Sequence, residues 1–296
     1  MNCQLLFAAA CAIVALACYR DDPTAAADRA PTTQVLLTDS PWAFDSIARV
    51  DIYVVSVATS TAADVGGFAA APQWVTIAAP RRRFNLLAVQ QGETRLIGEG
   101  RIPAGDYRAV RVVIDTDSSS VTHRDGTGVP VRWPATGEIT IPTLVEAPIA
   151  ISSASANQVV LDVDVGRSFV AWNGAGFAFT PFVRAVNATA TGTLRGIVVA
   201  DPDGSGTARP IPNADVSLFR GDAHQPAPTW ALAASGHTDP LGRFTVAFLL
   251  AGTYIVRVEA AGISTLGTAT FPTVSISAGQ TTSLPVALPP RATPGG

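Results

Sequence analysis

The chain has 296 residues, 48% of them apolar and 15% charged, with a formal net charge of −3. That is enough apolar material for one large core or two ordinary ones, and it provides neither the polybasic surface that nucleic acid requires nor an acidic tail. All twenty basic side chains are arginine, and the three cysteines, Cys3, Cys11 and Cys18, fall within the first eighteen residues. A disulfide, a cysteine-ligated zinc or a cysteine nucleophile in the body is therefore excluded.

Leu5 to Cys18 is an unbroken run of apolar or small residues ending in Ala15-Leu16-Ala17-Cys18, followed by the polar Tyr19-Arg20-Asp21-Asp22. It is too short to cross a bilayer comfortably and has the length of a secretory signal's apolar region. Its ending resembles a bacterial lipobox, which implies cleavage after residue 17, acylation of Cys18 and a membrane contact through lipid, each buried methylene adding about 0.8 kcal/mol. A cleaved signal without lipid and a short uncleaved anchor are the alternatives. Residues 18–32, rich in Pro, Ala and Thr, read as a flexible tether. The expected location is the cell envelope, as a lipoprotein of the outer membrane facing the periplasm or the cell surface.

From Val35 onward, strand signals recur every eight to twelve residues without sustained helical periodicity, the pattern of an all-β sandwich. The runs are QVLLT, IARVDIYVVSV, QWVTI, FNLLAV, TRLIGEG, YRAVRVVID, VPVRW, EITIP, QVVLDVDV and GFAFTPFVRAV, with turns at Gly66-Gly67, Gly92, Ala104-Gly105, Asp125-Gly126, Thr136-Gly137 and Asn173-Gly174. The small polar stretch NATATG, 187–192, separates these from TLRGIVVA, ADVSLFR, WALAASGHT, GRFTVAF, TYIVRVEA, PTVSISAG and TTSLPVAL. The expected organisation is a sandwich over 33–187, a second over 193–289 and a disordered tail over 290–296.

One short element occurs in both halves: Ala104-Gly105-Asp106-Tyr107 and Ala251-Gly252-Thr253-Tyr254, each running into a Val-rich strand. After Tyr254 the same-parity residues Val256 and Val258 are apolar. After Tyr107 the apolar set is Val110, Val112 and Ile114, of opposite parity, so the two strands are expected to bury opposite parities.

Gly196-Ile197-Val198, Pro212-Asn213-Ala214-Asp215-Val216, Thr238-Asp239 with Gly242 and Phe244, and Leu250 with Gly252 and Tyr254 resemble the carboxypeptidase regulatory-like domain. The resemblance implies a transthyretin-like sandwich that is accessory and non-catalytic, similar in fold to starch-binding modules. None of His123, His224 or His237 stands in metal-ligand spacing, so peptidase activity does not follow. Thr38-Asp39-Ser40-Pro41, Phe84 to Gly92, IPAGDYRAVRVVID, Leu161 to Phe169, and Pro181 with Val183 resemble a domain of unknown function, number 4382, found in bacterial lipoproteins. That resemblance implies another β-sandwich and no function.

Asp162 and Asp164, two apart in a predicted strand, would place both carboxylates on one face, a geometry for Ca²⁺ or an acid–base pair, set against a solvated or structural role. Asp201 and Asp203 begin DPDGSG like a calcium loop, but Pro212 stands where the closing Glu belongs, so the stretch reads as a hairpin turn. Arg81-Arg82-Arg83 reads as a charged strand edge, or as a contact for an anionic partner such as lipid headgroups or lipopolysaccharide. Trp172 and Trp230 are candidates for a carbohydrate platform, whereas Phe177 and Phe179 read with them as the closing end of a core.

No nucleophile elbow, phosphate loop or histidine cluster is present. The leading reading is a non-enzymatic, lipid-anchored envelope protein with a binding, adhesion or structural role toward a glycan or an envelope protein, and no cofactor beyond a candidate Ca²⁺. Carbohydrate binding by the C-terminal sandwich is the alternative, and a carboxylate hydrolase a distant third.

Overall fold

The computed structural model describes residues 30–40, 46–62, 73–143, 145–154, 156–174 and 176–291. The signal segment, Cys18 and the Gly66-Gly67 turn lie outside these residues. The described chain is all-β and forms two consecutive β-sandwiches, each around its own apolar cluster.

In the first sandwich a four-stranded sheet runs Val183–Asn187, Asn157–Val163, Thr32–Asp39, Arg95–Arg101. It faces a sheet ordered Glu138–Thr143, Ala109–His123, Ile47–Ser60, Val75–Ala78, with Arg82–Asn85 also on Ile47–Ser60. Alternation supplies the core: Val35 and Leu37 from one sheet meet Val112 and Ile114 from the other. Ile47–Ser60 carries Val50, Ile52 and Val54 inward, then slips register between Val54 and Ser56, so Val57 takes the next inward place. Such a bulge exchanges the faces of all that follows it.

In the second sandwich, Thr191–Ala200 lies between Arg243–Leu250, antiparallel, and Thr281–Ala287, parallel. The facing sheet runs Ala231–His237, Asp215–Arg220, Gly252–Glu259, Ala269–Ile276. A short 3-10 turn, Ala188–Ala190, capped by the Asn187 side chain on Thr189 N–H at 3.1 Å, joins the two sandwiches.

The repeated element is a tyrosine corner in both halves. Tyr107 donates its hydroxyl to Pro103 O at 2.8 Å, and Tyr254 to Leu250 O at 2.7 Å, four residues back in each case. The parity difference is present too. Tyr107 ends the short strand Gly105–Tyr107, and Arg108 N–H bonds Ser60 O, after which Val110, Val112 and Ile114 face inward. Tyr254, Val256 and Val258 share one inward face without interruption.

Three local expectations are corrected. FNLLAV is a strand only to Asn85; Leu86–Val89 is a 3-10 turn whose first N–H groups are met by the Asn85 side chain at Leu87 N, 3.2 Å. QVVLDVDV is a strand only to Val163. Asp164 caps a four-residue helical turn, Val165–Ser168, through Arg167 N–H at 2.9 Å. A capping carboxylate stops the strand because it satisfies helical N–H groups that the ladder cannot. Ile149–Ile151, absent from the predicted strands, pairs with Gly105–Tyr107 and buries Ile149 and Ile151.

The edge of the first sandwich is tight where Val75–Ala78 passes Arg95–Arg101. A Cβ at Gly100 would stand 2.1 Å from Ile77 O, so only glycine permits this approach.

Candidate functional site

Thr32–Asp39 and Asn157–Val163 are parallel, with Thr38 beside Asp162 and Asp39 beside Val163. Parallel pairing delivers both C-terminal ends to one place, and there Asp39, Asp162 and Asp164 converge against the second sandwich. Asp162 and Asp164 do not share a strand face: each has its own partner.

Asp162 accepts from Arg184 Nε at 2.8 Å, with Arg184 NH2 at 2.7 Å from the same oxygen, and both side chains are only 6% exposed. Arg184 sits on the edge strand Val183–Asn187 and donates onward to Phe248 O at 3.1 Å and Ala247 O at 3.3 Å in the second sandwich. Those two carbonyls flank a break in regular strand geometry, since Phe248 holds φ +56 and the adjoining ladder slips between Gly192 and Leu194. One guanidinium therefore joins a carboxylate of one sandwich to two backbone acceptors of the other, a use suited to its fixed fork of donors.

Asp164 caps its helical turn with one oxygen and accepts from Ser235 Oγ at 2.7 Å with the other, a second link across the joint. A third is Arg220 Nε to Glu146 at 3.4 Å, with Arg220 also donating to Tyr254 Oη at 2.9 Å. These links across the joint are polar, in contrast to the two cores, and beside the Arg220–Glu146 link the joint opens into a cleft of about 770 Å³.

Asp39 is 2% exposed and accepts from Val165 N–H at 3.0 Å and Gln90 Nε2 at 2.9 Å. Burial pushes its carboxyl well above the usual carboxylate range; the two hydrogen bonds pull it down, and the neighbouring Asp162 and Asp164 raise it further. Asp164 is likewise raised by burial, against the pull of Ser235 and Arg167 N–H. A carboxyl whose pKa is higher folded than unfolded binds more protons in the fold, so its contribution to stability falls as pH rises from the unfolded pKa through the folded one. Accordingly, Asp39→Asn is expected to flatten the loss of stability as pH rises above about 4, measured as urea midpoints of the two chains. An unchanged slope would show that Asp39 does not titrate in that range.

Asp39 and Asp162 line a cavity of about 10 Å³ with Thr245, Val246, Ala247 and Phe248, and Asp162 Oδ1 is buried there without a protein hydrogen bond. That space is of the order of one water and admits no substrate. Among the described residues no group of three His, Cys, Asp or Glu is arranged to hold a metal ion.

Asp201 and Asp203 are spent within their own loop. Asp201 accepts from Ser205 N–H at 3.0 Å and Gly206 N–H at 2.7 Å, and Asp203 accepts from Ser205 N–H at 3.3 Å and pairs with Arg209. Ser205, then Asp201 and Arg209, hold the Asp203 carboxyl down at about 2. The loop is the hairpin turn that Pro212 indicated, closed by Asx-type bonds.

The aromatic residues divide. Phe177 and Phe179 are buried, and Phe169, Phe179 and Trp133 stack at centroid distances of 4.9 to 6.1 Å at one end of the first core. Trp172 is 39% exposed, with the Arg132 guanidinium 5.6 Å from its ring. Trp230, in the second sandwich, is half-buried, spends its Nε1–H on Asp222 O and Gln225 O, and leans on Phe219 at 59°, so that pair of rings is not coplanar.

Residues that sequence reasoning did not single out for the joint are Asp39, Arg184 and Ser235. Asp39 was visible only as part of Thr38-Asp39-Ser40-Pro41, and nothing local marked Arg184.

The fold is that of two consecutive β-sandwiches joined by polar contacts. A family model described as a domain of unknown function (DUF4382) matches residues 31–181, and that of the carboxypeptidase regulatory-like domain matches residues 193–289. The first spans just over half the chain, and the protein belongs to the DUF4382 family, with a carboxypeptidase regulatory-like domain following. No curated protein matches the chain. Among solved structures, the minor pilin GBS52 of Streptococcus agalactiae aligns at 13% identity over 89% of this chain and 98% of that one, TM-score 0.27. The shaft pilin spaA of Lactobacillus rhamnosus GG aligns at 12% over 89% and 100%, TM-score 0.27. The major pilin BcpA of Bacillus cereus aligns at 9% over 87% and 69%, TM-score 0.24. At these scores neither topology nor activity is transferred.

Proposed function

We propose that this chain is a non-enzymatic cell-envelope protein, held at the membrane through acylated Cys18, whose two sandwiches work as one unit in a binding, adhesion or structural role. The observation that carries the reading is the joint. Its carboxylates, among them the Asp162 and Asp164 pair, are engaged by Arg184, Ser235 and backbone N–H groups around a space of about 10 Å³ that admits no substrate. Buried charge set between domains serves to fix their mutual position, since a buried ion pair gains little stability over apolar packing. The lipidation half of the proposal rests on Ala15-Leu16-Ala17-Cys18 and the tether behind it. Among the described residues no helix is long and apolar enough to cross a membrane.

Cys18→Ser is expected to move the protein from the membrane fraction to the soluble fraction of fractionated cells, and to remove the mass of the acyl chains from the mature chain. A variant that stays membrane-bound would refute anchoring through Cys18 while leaving the joint untouched.

A further inference from the structure

Of the three consecutive arginines, Arg81 makes a turn, at φ +46 after Pro80, while Arg82 and Arg83 begin the edge strand Arg82–Asn85. Across the open side of the first sandwich lies the other edge strand, Arg95–Arg101. Between the two edges is a cavity of about 560 Å³ lined by Arg49, Arg82, Arg83 and Arg95, with Phe84 in its wall and Glu93 at its rim. The size falls within the range of small-molecule sites, roughly 300–1,000 Å³.

Three of the four guanidinium groups are held in place, each by only part of its donor set. Arg49 makes a two-bond contact with Asp51 at 2.8 and 2.7 Å. Arg82 lies 4.8 Å from the Phe84 ring centroid and donates to Leu96 O at 3.2 Å, bridging the two sheets. Arg83 donates from Nε to Ser118 O. Arg95 has no carboxylate partner among the described residues. Four positive groups against Glu93 and the Asp51 behind Arg49 leave a local charge of 4 − 2 = +2, on a chain whose net charge is −3.

We infer that this cavity is a binding site for a ligand carrying clustered phosphate groups. A planar carboxylate is satisfied by one guanidinium fork, whereas the terminal oxygens of a phosphate point in several directions and accept from several forks at once. Four arginines around one cup therefore match phosphate, and the volume exceeds what a single phosphate fills. The phosphate can come from a free diphosphate or from a lipid headgroup, and the site is independent of the Cys18 anchor.

The test uses the full chain carrying Cys18→Ser, so that no acyl group contributes, with inorganic pyrophosphate in titration calorimetry as one arm. The other arm is co-sedimentation with phosphatidylcholine vesicles with and without phosphatidic acid. Binding is expected in at least one arm, and Arg82→Gln with Arg95→Gln should weaken it by about tenfold or more, as the loss of charge-assisted hydrogen bonds requires. An unchanged circular dichroism spectrum and thermal midpoint keep the comparison clean, because both side chains are exposed; single Arg95→Gln is the fallback if the pair perturbs folding. Pyrophosphate binding would identify a free ligand, and binding only to phosphatidic acid vesicles a headgroup. Absence of both, or equal binding by the variants, would overturn the site.

Discussion

Arg184→Ala is expected to cost about 3–5 kcal/mol of stability, the range for removing one partner of a buried ion pair. The cost does not come from losing an attraction alone. Asp162 would remain buried with both oxygens unmet, since Oδ1 already lacks a protein partner. The carbonyls of Ala247 and Phe248 would lose their donor as well, and each unmet buried polar group costs about 1–3 kcal/mol. The loss should be local to the joint, so limited proteolysis should open the 187–192 connection before either core melts. Replacing both partners, Asp162→Leu with Arg184→Met, should recover most of the stability, because an apolar pair leaves no buried charge behind. Urea unfolding of the three chains measures this. A loss below about 1 kcal/mol for Arg184→Ala would mean that the seam is wet and the sandwiches are independent.

Gly196→Val is the second large effect, expected to cost about 3 kcal/mol, at the upper end for overpacking. Gly196 pairs with Phe244 on one side and Leu284 on the other, in the middle of Thr191–Ala200. A Cβ there would stand 2.0 Å from Leu284 O and 2.5 Å from the Phe244 ring. A second substitution can trim the ring, but the carbonyl belongs to the backbone and cannot give without spreading the parallel pair. Hydrogen exchange should therefore show Thr281–Ala287 losing protection first. Phe244→Leu in the same chain should relieve only part of the loss. Retained protection at Thr281–Ala287 would show that the strand absorbs the change elsewhere.

These two sites mark where sequence reasoning reached and where it stopped. Gly196 and Phe244 stood out as matching residues of a known module, and their contact explains why this chain needs a glycine opposite that ring. The strands were legible because alternating β-branched runs encode a half-buried surface locally, as did the turn at Asp201 to Gly206. The joint was not legible. Asp39 reaches Asp162 only through the parallel register of two strands far apart in the chain, and register between distant strands is not written in either one. Asp164 misled for a related reason: alternation continued through Val163 and Val165, and a capping bond three residues ahead outweighed it. The arginine cup was half visible, as Arg82 and Arg83, but Arg49 joins it only when Arg82–Asn85 pairs with Ile47–Ser60, and Arg95 only when the two sheets stack.

The strand edges carry one more consequence. In the four-stranded sheet, Val183–Asn187 is joined to the second sandwich through the Arg184 side chain. The opposite edge strand, Arg95–Arg101, begins and ends in arginine and is crossed at close quarters by Val75–Ala78 at Gly100. Arginines at the ends of an edge strand discourage its pairing with another chain. Strand donation to the Arg95–Arg101 border is thus disfavoured by charge and by the strand that crosses it.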